Sequence, residues 1–513
     1  MKAISLPLCA AVLAFGAANA HAKDTAAHDA RHNARHARAY YEQLLSGSKP
    51  QLAELNLLMT MLPKGGDLHH HYSGAIYAET YLDWLGRQGY CVYRQDDPTK
   101  GQQKYRIETK PAPEPDKNCL KADAIRKDNR FYREVLMKWS DKDYGNHSHQ
   151  QVPPDEHFFD TFGYFGPISA YATKEGLRQL KERAKAENLQ YLETMLRSAP
   201  ATDHPELGAR IDALPPDASD DAVRQALAPF ADFLAHDETA RKRIADYARG
   251  VADDIAGLDD ADFTLRAQTY VSRNSAPSKV FSSLYAAFAA ASGNPAIVGV
   301  NIVGPENGYV ALRDYKLHMR MFRFLKQRFP SVRLALHAGE LTLGMVPPED
   351  LRGHIREAVE VAGAERIGHG IDLAHEDRPD QLIETLKRRN VAVEVNLTSN
   401  EFILGVKQEA HPVTIYLRHG VPFVISTDDA GVSRNNLSGE YLLFVSRYKP
   451  SYETLKRTVY NSIRYSFLPP GDKERQLREL DRRFVKFEAA AARMARAADA
   501  AAKASKVKQA ASR

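Results

Sequence analysis

The stretch GGDLHHHYSG, residues 65–74, places three histidines in succession: His69, His70 and His71. On an extended segment alternate side chains face opposite ways, so His69 and His71 share one face and His70 takes the other. A chelating imidazole pair would therefore be the outer two, with His70 a bystander. The same run also suits a polar turn or a tag-like linker. The remainder of the chain decides between these readings, because imidazole acts as a ligand only where further donors converge on it.

Working outward, DLHHHY is the first of eight short runs of strand character. The others are LQYLETML (189–196), FTLRAQTYV (263–271), AIVGVNIVG (296–304), VRLALHAGE (332–340), ERIGHG (365–370), VAVEVNLTSN (391–400) and PFVISTDD (422–429). Segments of helical periodicity, such as DYKLHMRMFRFLKQRF and PEDLRGHIREAVEVAG, fall between most of them. Eight strands with crossover helices predict a (β/α)8 barrel of the α/β class. An open doubly wound sheet would normally carry a Gly-rich phosphate loop after its first strand. Neither G-x-G-x-x-G nor G-x-x-x-x-G-K-[ST] follows any of the runs.

The chain has 513 residues, 43% hydrophobic and 26% charged, enough for a globular barrel with extensions. Its net charge is +5 and its Lys and Arg residues are scattered, so no basic block suggests nucleic acid or a membrane surface. Residues 1–22, MKAISLPLCAAVLAFGAANAHA, join a basic Lys2 to an apolar run and an A-x-A pattern at residues 18–20. That is the form of a cleavable secretory signal, and its Ala-rich character favours the periplasm over the medium. Removing it leaves Cys91 and Cys119, an even pair that an oxidising compartment would join as a disulfide. Residues 23–60 read as a helical extension and 61–470 as the barrel. A polar, irregular insertion at about 86–150 carries both cysteines. Residues 471–513 read as a charged, Ala-rich helix that frays into a disordered tail.

Metal- and proton-capable residues gather at the C-terminal ends of four strands: His69 and His71, His337 and Glu340, His369, and Asp428 with Asp429. In a barrel these ends meet at one mouth, where such folds carry their chemistry. Three imidazoles and a carboxylate (His69, His71, His337 and Asp428) suit a divalent transition metal, zinc by default. One position is left for water, whose pKa the metal lowers. Glu340, three residues beyond its ligand, lies where it can exchange protons with a bound molecule. His369 is placed to orient or deprotonate the water, and Asp429, at the strand end, faces the ligand.

DLHHHYSG, LALHAGE, RIGHG and ISTDDAG, in that order, resemble the motif series of the adenosine deaminase family, zinc (β/α)8-barrel hydrolases. The resemblance covers roughly residues 62–70 and 155–470. The signal, extension and cysteine-bearing insertion are similar to the secreted adenosine deaminase growth-factor subgroup. What the resemblance implies is one Zn2+ per chain and hydrolytic removal of the 6-amino group of adenosine, and of 2′-deoxyadenosine, giving inosine or deoxyinosine and ammonia. On that pattern Glu340 protonates purine N1 while activated water attacks C6. Asp429 holds N7, and the backbone of Gly304, in NIVGPENG, meets N3. Glu394, on the seventh barrel strand, is a candidate partner behind His369 or a buried structural carboxylate. Many members carry Asp two residues after the second histidine; this chain has Ser73, expected near the ribose 5′-hydroxyl.

Cyclic amidases and phosphotriesterases also begin with H-x-H, but those with two metals usually place a bridging lysine on the fourth strand. AIVGVNIVGPENG contains none. The H-x-E with P-C-x-x-C signature of cytidine-type deaminases is absent. An AMP-type or adenine deaminase stays open as an alternative, as does an extracellular signalling or binding protein on the same scaffold. Exported enzymes would more often meet dephosphorylated nucleosides, and an intact ligand set with Glu340 beside His337 favours catalysis. The expected partner is a purine nucleoside, with no nucleic acid and no membrane after signal cleavage. A homodimer is compatible with the sequence.

Overall fold

Strands of a parallel sheet covered by helices are buried on both faces and therefore read as continuous apolar runs. The runs VAVEV and PFVI have this form. The computed structural model describes residues 28–97, 102–107, 119–146 and 152–511, and the expected signal segment 1–22 lies outside them. The strands among the described residues are, in chain order, β1 (Gly65–Asp67), β2 (Val92–Asp97), β3 (Gln102–Ile107), β4 (Leu189–Ser198), β5 (Thr264–Ser272), β6 (Ile297–Val303), β7 (Ala335–Ala338), β8 (Arg366–His369), β9 (Ala392–Val395) and β10 (Phe423–Ile425). β2 and β3 pair with each other as an antiparallel hairpin. The remaining eight form two parallel sheets, β1-β4-β5-β6 and β10-β9-β8-β7. Parallel bridges Val300–Leu334 and His70–Asp428 join the sheets at both seams. The eight strands thus close in chain order as a (β/α)8 barrel. The helices Thr173–Ala186, Pro277–Gly293 and Tyr452–Arg464 pack on its outside against β4, β5–β6 and β10–β1.

One layer of the barrel interior is ionic, where branched apolar side chains would be usual. Arg366 of β8 is fully buried and donates to Glu193 of β4 at 2.6 Å and to Glu394 of β9 at 2.5 Å. Its guanidinium also lies 3.8 Å from the Phe467 ring centroid. Gln268 of β5 and the Phe467 backbone donate to the same Glu193 carboxylate, at 3.2 and 2.6 Å. Pairing each charge with several hydrogen-bond partners offsets its desolvation.

Three expectations need correction. The run at 391–400 is not one strand: β9 stops at Val395 and Leu397–Leu404 is a helix. The Glu440 carboxylate accepts from Thr398 N at 3.2 Å, satisfying a first-turn N–H that has no partner within the helix. The insertion is not irregular throughout. Beside the hairpin it forms helices Ala122–Lys127 and Asn129–Lys138, the second capped by Asp128, which accepts from Arg130 N and Phe131 N at 3.1 Å each. Ile125, Phe131, Val135 and Trp139 bury themselves in the main core despite the segment's polar composition. Finally, the C-terminal segment does not fray within the described residues but runs as one helix, Pro470–Ala511. Leu480, Phe484, Phe487, Ala491 and Ala495 anchor its first two-thirds. The exposed remainder is rich in Ala, the residue with the highest helix propensity.

At the other end, helices 28–45 and Leu52–Met61 form the extension. Cys91 and Cys119 are joined as a disulfide, with Cα atoms 5.1 Å apart. No described helix is long and apolar enough to cross a membrane.

Candidate active site

Beyond β1 the chain continues extended and is stitched to both neighbours. Asp428 N donates to His69 O at 2.9 Å, Met195 N to His70 O at 2.8 Å, and His71 N to Asp428 O at 3.2 Å. Alternation then sends His69 and His71 into the mouth, while His70 turns away and its Nδ1 meets Thr194 Oγ1 at 2.9 Å. His71 Nε2 lies 3.2 Å from His337 Nε2 and 3.3 Å from Asp428 Oδ1. His69 Nε2 lies 3.5 Å from the same carboxylate oxygen. Ligand atoms of His69, His71 and His337 all fall within 4.8 Å of one another.

The partners behind these rings fix which nitrogen faces inward. His69 Nδ1 lies 2.6 Å from Glu394 Oε2, and a carboxylate accepts, so Nδ1 carries the proton. Its Nε2 lone pair is buried without a hydrogen-bond partner. His337 Nδ1 lies 2.9 Å from Asn301 Oδ1, an oxygen identified by the backbone donors Ile302 N and His337 N that also point at it. His337 Nε2 is therefore also a bare lone pair. Burial alone would lower the His69 imidazole, but Asp428 and Glu394 on either side push it up to about 10, so the surroundings draw positive charge to Nε2, as a proton or as a cation in its place. The cluster is short of a positive charge, and its nitrogen and oxygen donors fit a divalent cation.

The expected pairing of Glu394 with His369 is corrected by this geometry. Glu394 registers with Gly368, the last partner pair of β8 and β9 and one residue before His369. A Cβ on Gly368 would come within 2.7 Å of His69 Cε1, so the glycine leaves the room through which His69 reaches Glu394. His369 Nδ1 instead faces Asn400 at 2.9 Å and Asn396 at 3.4 Å.

The proton-handling groups stand over the cluster. Glu340 leaves β7 on a loop whose N–H groups at Gly339 and Glu340 donate to the Glu306 carboxylate, at 3.1 and 2.8 Å. Its Oε1 lies 3.6 Å from His369 Nε2. Burial, with the neighbouring Asp428 and Glu306 charges, pushes the Glu340 carboxyl up to about 8. Burial and Asp428 likewise raise the Asp429 carboxyl, whose Oδ1 has no hydrogen-bond partner. Asp429 packs so closely on the β1 loop that a Cβ on Gly74 would sit 1.6 Å from its Oδ1. His369 and Asp428 hold left-handed backbone, with φ of +68° and +62°, a strained state for non-glycine residues that surrounding contacts must enforce.

Ser73, Gly304, Glu340, His369, Asp428 and Asp429 line one cavity of about 340 Å³ with His71 and His337 at its base, a size within the small-molecule range. Sequence reasoning missed its aromatic wall. Phe158, Phe159 and Phe162 come from the helix Pro154–Phe165, and Tyr270 from β5. The stripe in PDEHFFDTFGYF was visible, yet the same spacing would serve a buried core helix. It also missed Asn301, Glu306 and Asn400, which act by position and carry no motif.

Residues 249–483 match the family model for adenosine deaminase. An adenosine deaminase of Clostridium perfringens is 30% identical over 181 residues, covering 35% of this chain and 49% of that protein. One of Escherichia coli is 32% identical over 184 residues, covering 36% of this chain and 50% of that protein. The chain thus spans about half the length of the curated relatives it matches. Among solved structures, the apo N6-methyl-AMP deaminase of Arabidopsis thaliana superposes with a TM-score of 0.52 at 16% identity, covering 83% of this chain and 98% of that one. That likeness is one of fold.

Proposed function

We propose that this chain, whose residues 249–483 match the adenosine deaminase family model, is a zinc-dependent hydrolase converting adenosine and 2′-deoxyadenosine, with water, to inosine or deoxyinosine and ammonia. The observation that carries this reading is the cavity itself. Two raised carboxyls and a glycine backbone face a space with three imidazoles and Asp428 beneath it, and no Lys or Arg lines it among the described residues.

His69, His71, His337 and Asp428 are the residues that would hold the ion. When bound, zinc supplies the Lewis acidity that makes water nucleophilic near neutral pH. The chain's own residues do the rest. A carboxyl raised to about 8 retains its proton at neutral pH, so Glu340 can donate to purine N1 as water adds at C6. Glu340 then passes the proton released by the water to the departing amine. Purine N7 is an acceptor only, and a protonated Asp429 is the donor it needs. The backbone of Gly304 borders the cavity where N3 would lie. The aromatic wall excludes water from the purine face.

At the sugar end, Ser73 offers one neutral hydroxyl, both donor and acceptor. Among the described residues the cavity has no cationic lining side chain to serve as counter-charge to a 5′-phosphate. Initial rates on adenosine, 2′-deoxyadenosine, AMP and adenine at equal concentration test the reading. The nucleosides should be turned over and the other two poorly. Faster turnover of AMP than of adenosine overturns the nucleoside assignment. The Cys91–Cys119 bond supports export to an oxidising compartment, in keeping with the signal pattern.

A further inference from the structure

We propose that His411 and Asn400 form a positioning relay that holds His369 in its Nε2–H form, so that His369 works as a hydrogen-bond donor and not as a base. The relay begins at a backbone N–H, which can only donate. Val413 is the first residue of the helix Val413–His419, so its backbone N–H has no partner within the helix. It donates to His411 Nδ1 at 3.1 Å. Burial, aided by Arg447, pushes the His411 imidazole down to about 3, so the ring is neutral and its single proton sits on Nε2. That N–H meets Asn400 Oδ1 at 3.1 Å.

The oxygen of Asn400 is thereby identified, and with it the orientation of the amide, which is otherwise a matter of inference. Its Nδ2 must then be the atom 2.9 Å from His369 Nδ1. Asn396 Nδ2 approaches the same nitrogen at 3.4 Å. A ring nitrogen that accepts carries no proton, so the His369 proton is on Nε2, on the side of Glu340 Oε1 (3.6 Å) and Asp428 Oδ2 (3.9 Å). His369, Asn400 and His411 are all buried, so no exchange of partners with solvent weakens the sequence of bonds.

The relay decides between two roles otherwise open to His369. A ring that presents N–H cannot take a proton from water; it can hold an oxygen in place by donating to it. Proton transfer is left to Glu340. His411 and Asn400 touch neither substrate nor metal ligand in this scheme and act only through the His369 ring.

The test reads the tautomer directly. Nitrogen-15 spectra of the histidine rings are recorded on the metal-loaded protein, with His369 assigned by comparison with His369→Gln. The wild-type protein should show Nε2–H. In Asn400→Asp the side chain keeps its shape but accepts on both oxygens, which draws the His369 proton to Nδ1. The kcat should then fall by about 10²–10³-fold, the scale of a misplaced acid–base or tautomer-setting group, with KM and metal content within about twofold. An Nδ1–H signature in the wild-type protein overturns the relay, and so does an Asn400→Asp protein with unchanged tautomer and kcat. Should that variant fail to fold, the wild-type spectrum alone decides. The activity arm rests on the deaminase reading, whereas the tautomer does not. Nε2–H in a protein that releases no ammonia from any 6-aminopurine supports the relay and overturns the function.

Discussion

The barrel mouth and the insertion between β1 and β4 are neighbours held together by different means. At the mouth every functional side chain is placed several times over. His69 is set by the ladder to Asp428, by Glu394 behind its ring and by the gap that Gly368 leaves for it. Glu340 is set by two backbone bonds to Glu306, which is itself gripped by His354 at 2.5 Å. The insertion has a few apolar anchors, one capped helix and a covalent tie from Cys91 to Cys119. Among the described residues one main-chain bond, Asp141 N to Val432 O at 2.8 Å, links it to the loop after β10. Burying charge demands many converging partners, whereas a polar surface segment needs only a few fixed points.

The contrast can be broken in four ways, in descending order of effect. His71→Ala should empty the metal site, while His70→Ala should leave metal content near normal, as the alternation of the extended segment requires. Elemental analysis checks this, and equal loss in both variants contradicts the alternation argument. Glu340→Gln should keep the metal yet lose activity by about 10²–10⁴-fold, the range for an acid–base group. Loss of the metal in that variant would make Glu340 a ligand.

Reducing the disulfide acts on the other region. It frees a loop whose chain-entropy estimate is about 3–4 kcal/mol, so proteases should cut within residues 86–150 while the barrel retains its metal. Metal loss on reduction would show that the two regions are one cooperative unit. The smallest effect concerns Glu306. Burial favours its neutral form, but Arg273 and His354 outweigh this and hold the carboxyl down at about 2, below its usual 4.5. A depressed carboxyl contributes stability that is present above pH 4.5 and lost as the pH falls through about 2. Melting temperature should therefore fall more steeply across that window in the wild-type protein than in Glu306→Gln. Parallel curves would remove Glu306 from that role.

The division between the two regions is also the division in legibility. Strand alternation at 69–71 and the shared polarity of four strand ends announced the barrel and the residues at its mouth, because period and spacing follow from backbone geometry. Glu394 was visible but assigned to the wrong ring, since its reach depends on a missing Cβ at Gly368, which no local pattern encodes. Asn400 lay inside a run taken for strand, and the acceptor that caps the helix there, for Thr398 N, comes from Glu440, about forty residues away in sequence. The insertion hid its anchors because Phe131, Val135 and Trp139 are thinly spread among Lys, Asp and Arg. What escaped in each case was a long-range partner.

The central claim is that the mouth between β1, β7, β8 and β10 is a metal-dependent site for removing the amine of a 6-aminopurine nucleoside. Its most direct test measures metal content and ammonia release on one preparation, before and after chelation and again after zinc is restored. The account predicts about one zinc per chain, conversion of adenosine to inosine with one ammonia released for each, loss of both metal and activity on chelation, and recovery of both with zinc. Full activity in the metal-free protein, or a zinc-loaded protein that releases no ammonia from adenosine, would contradict it.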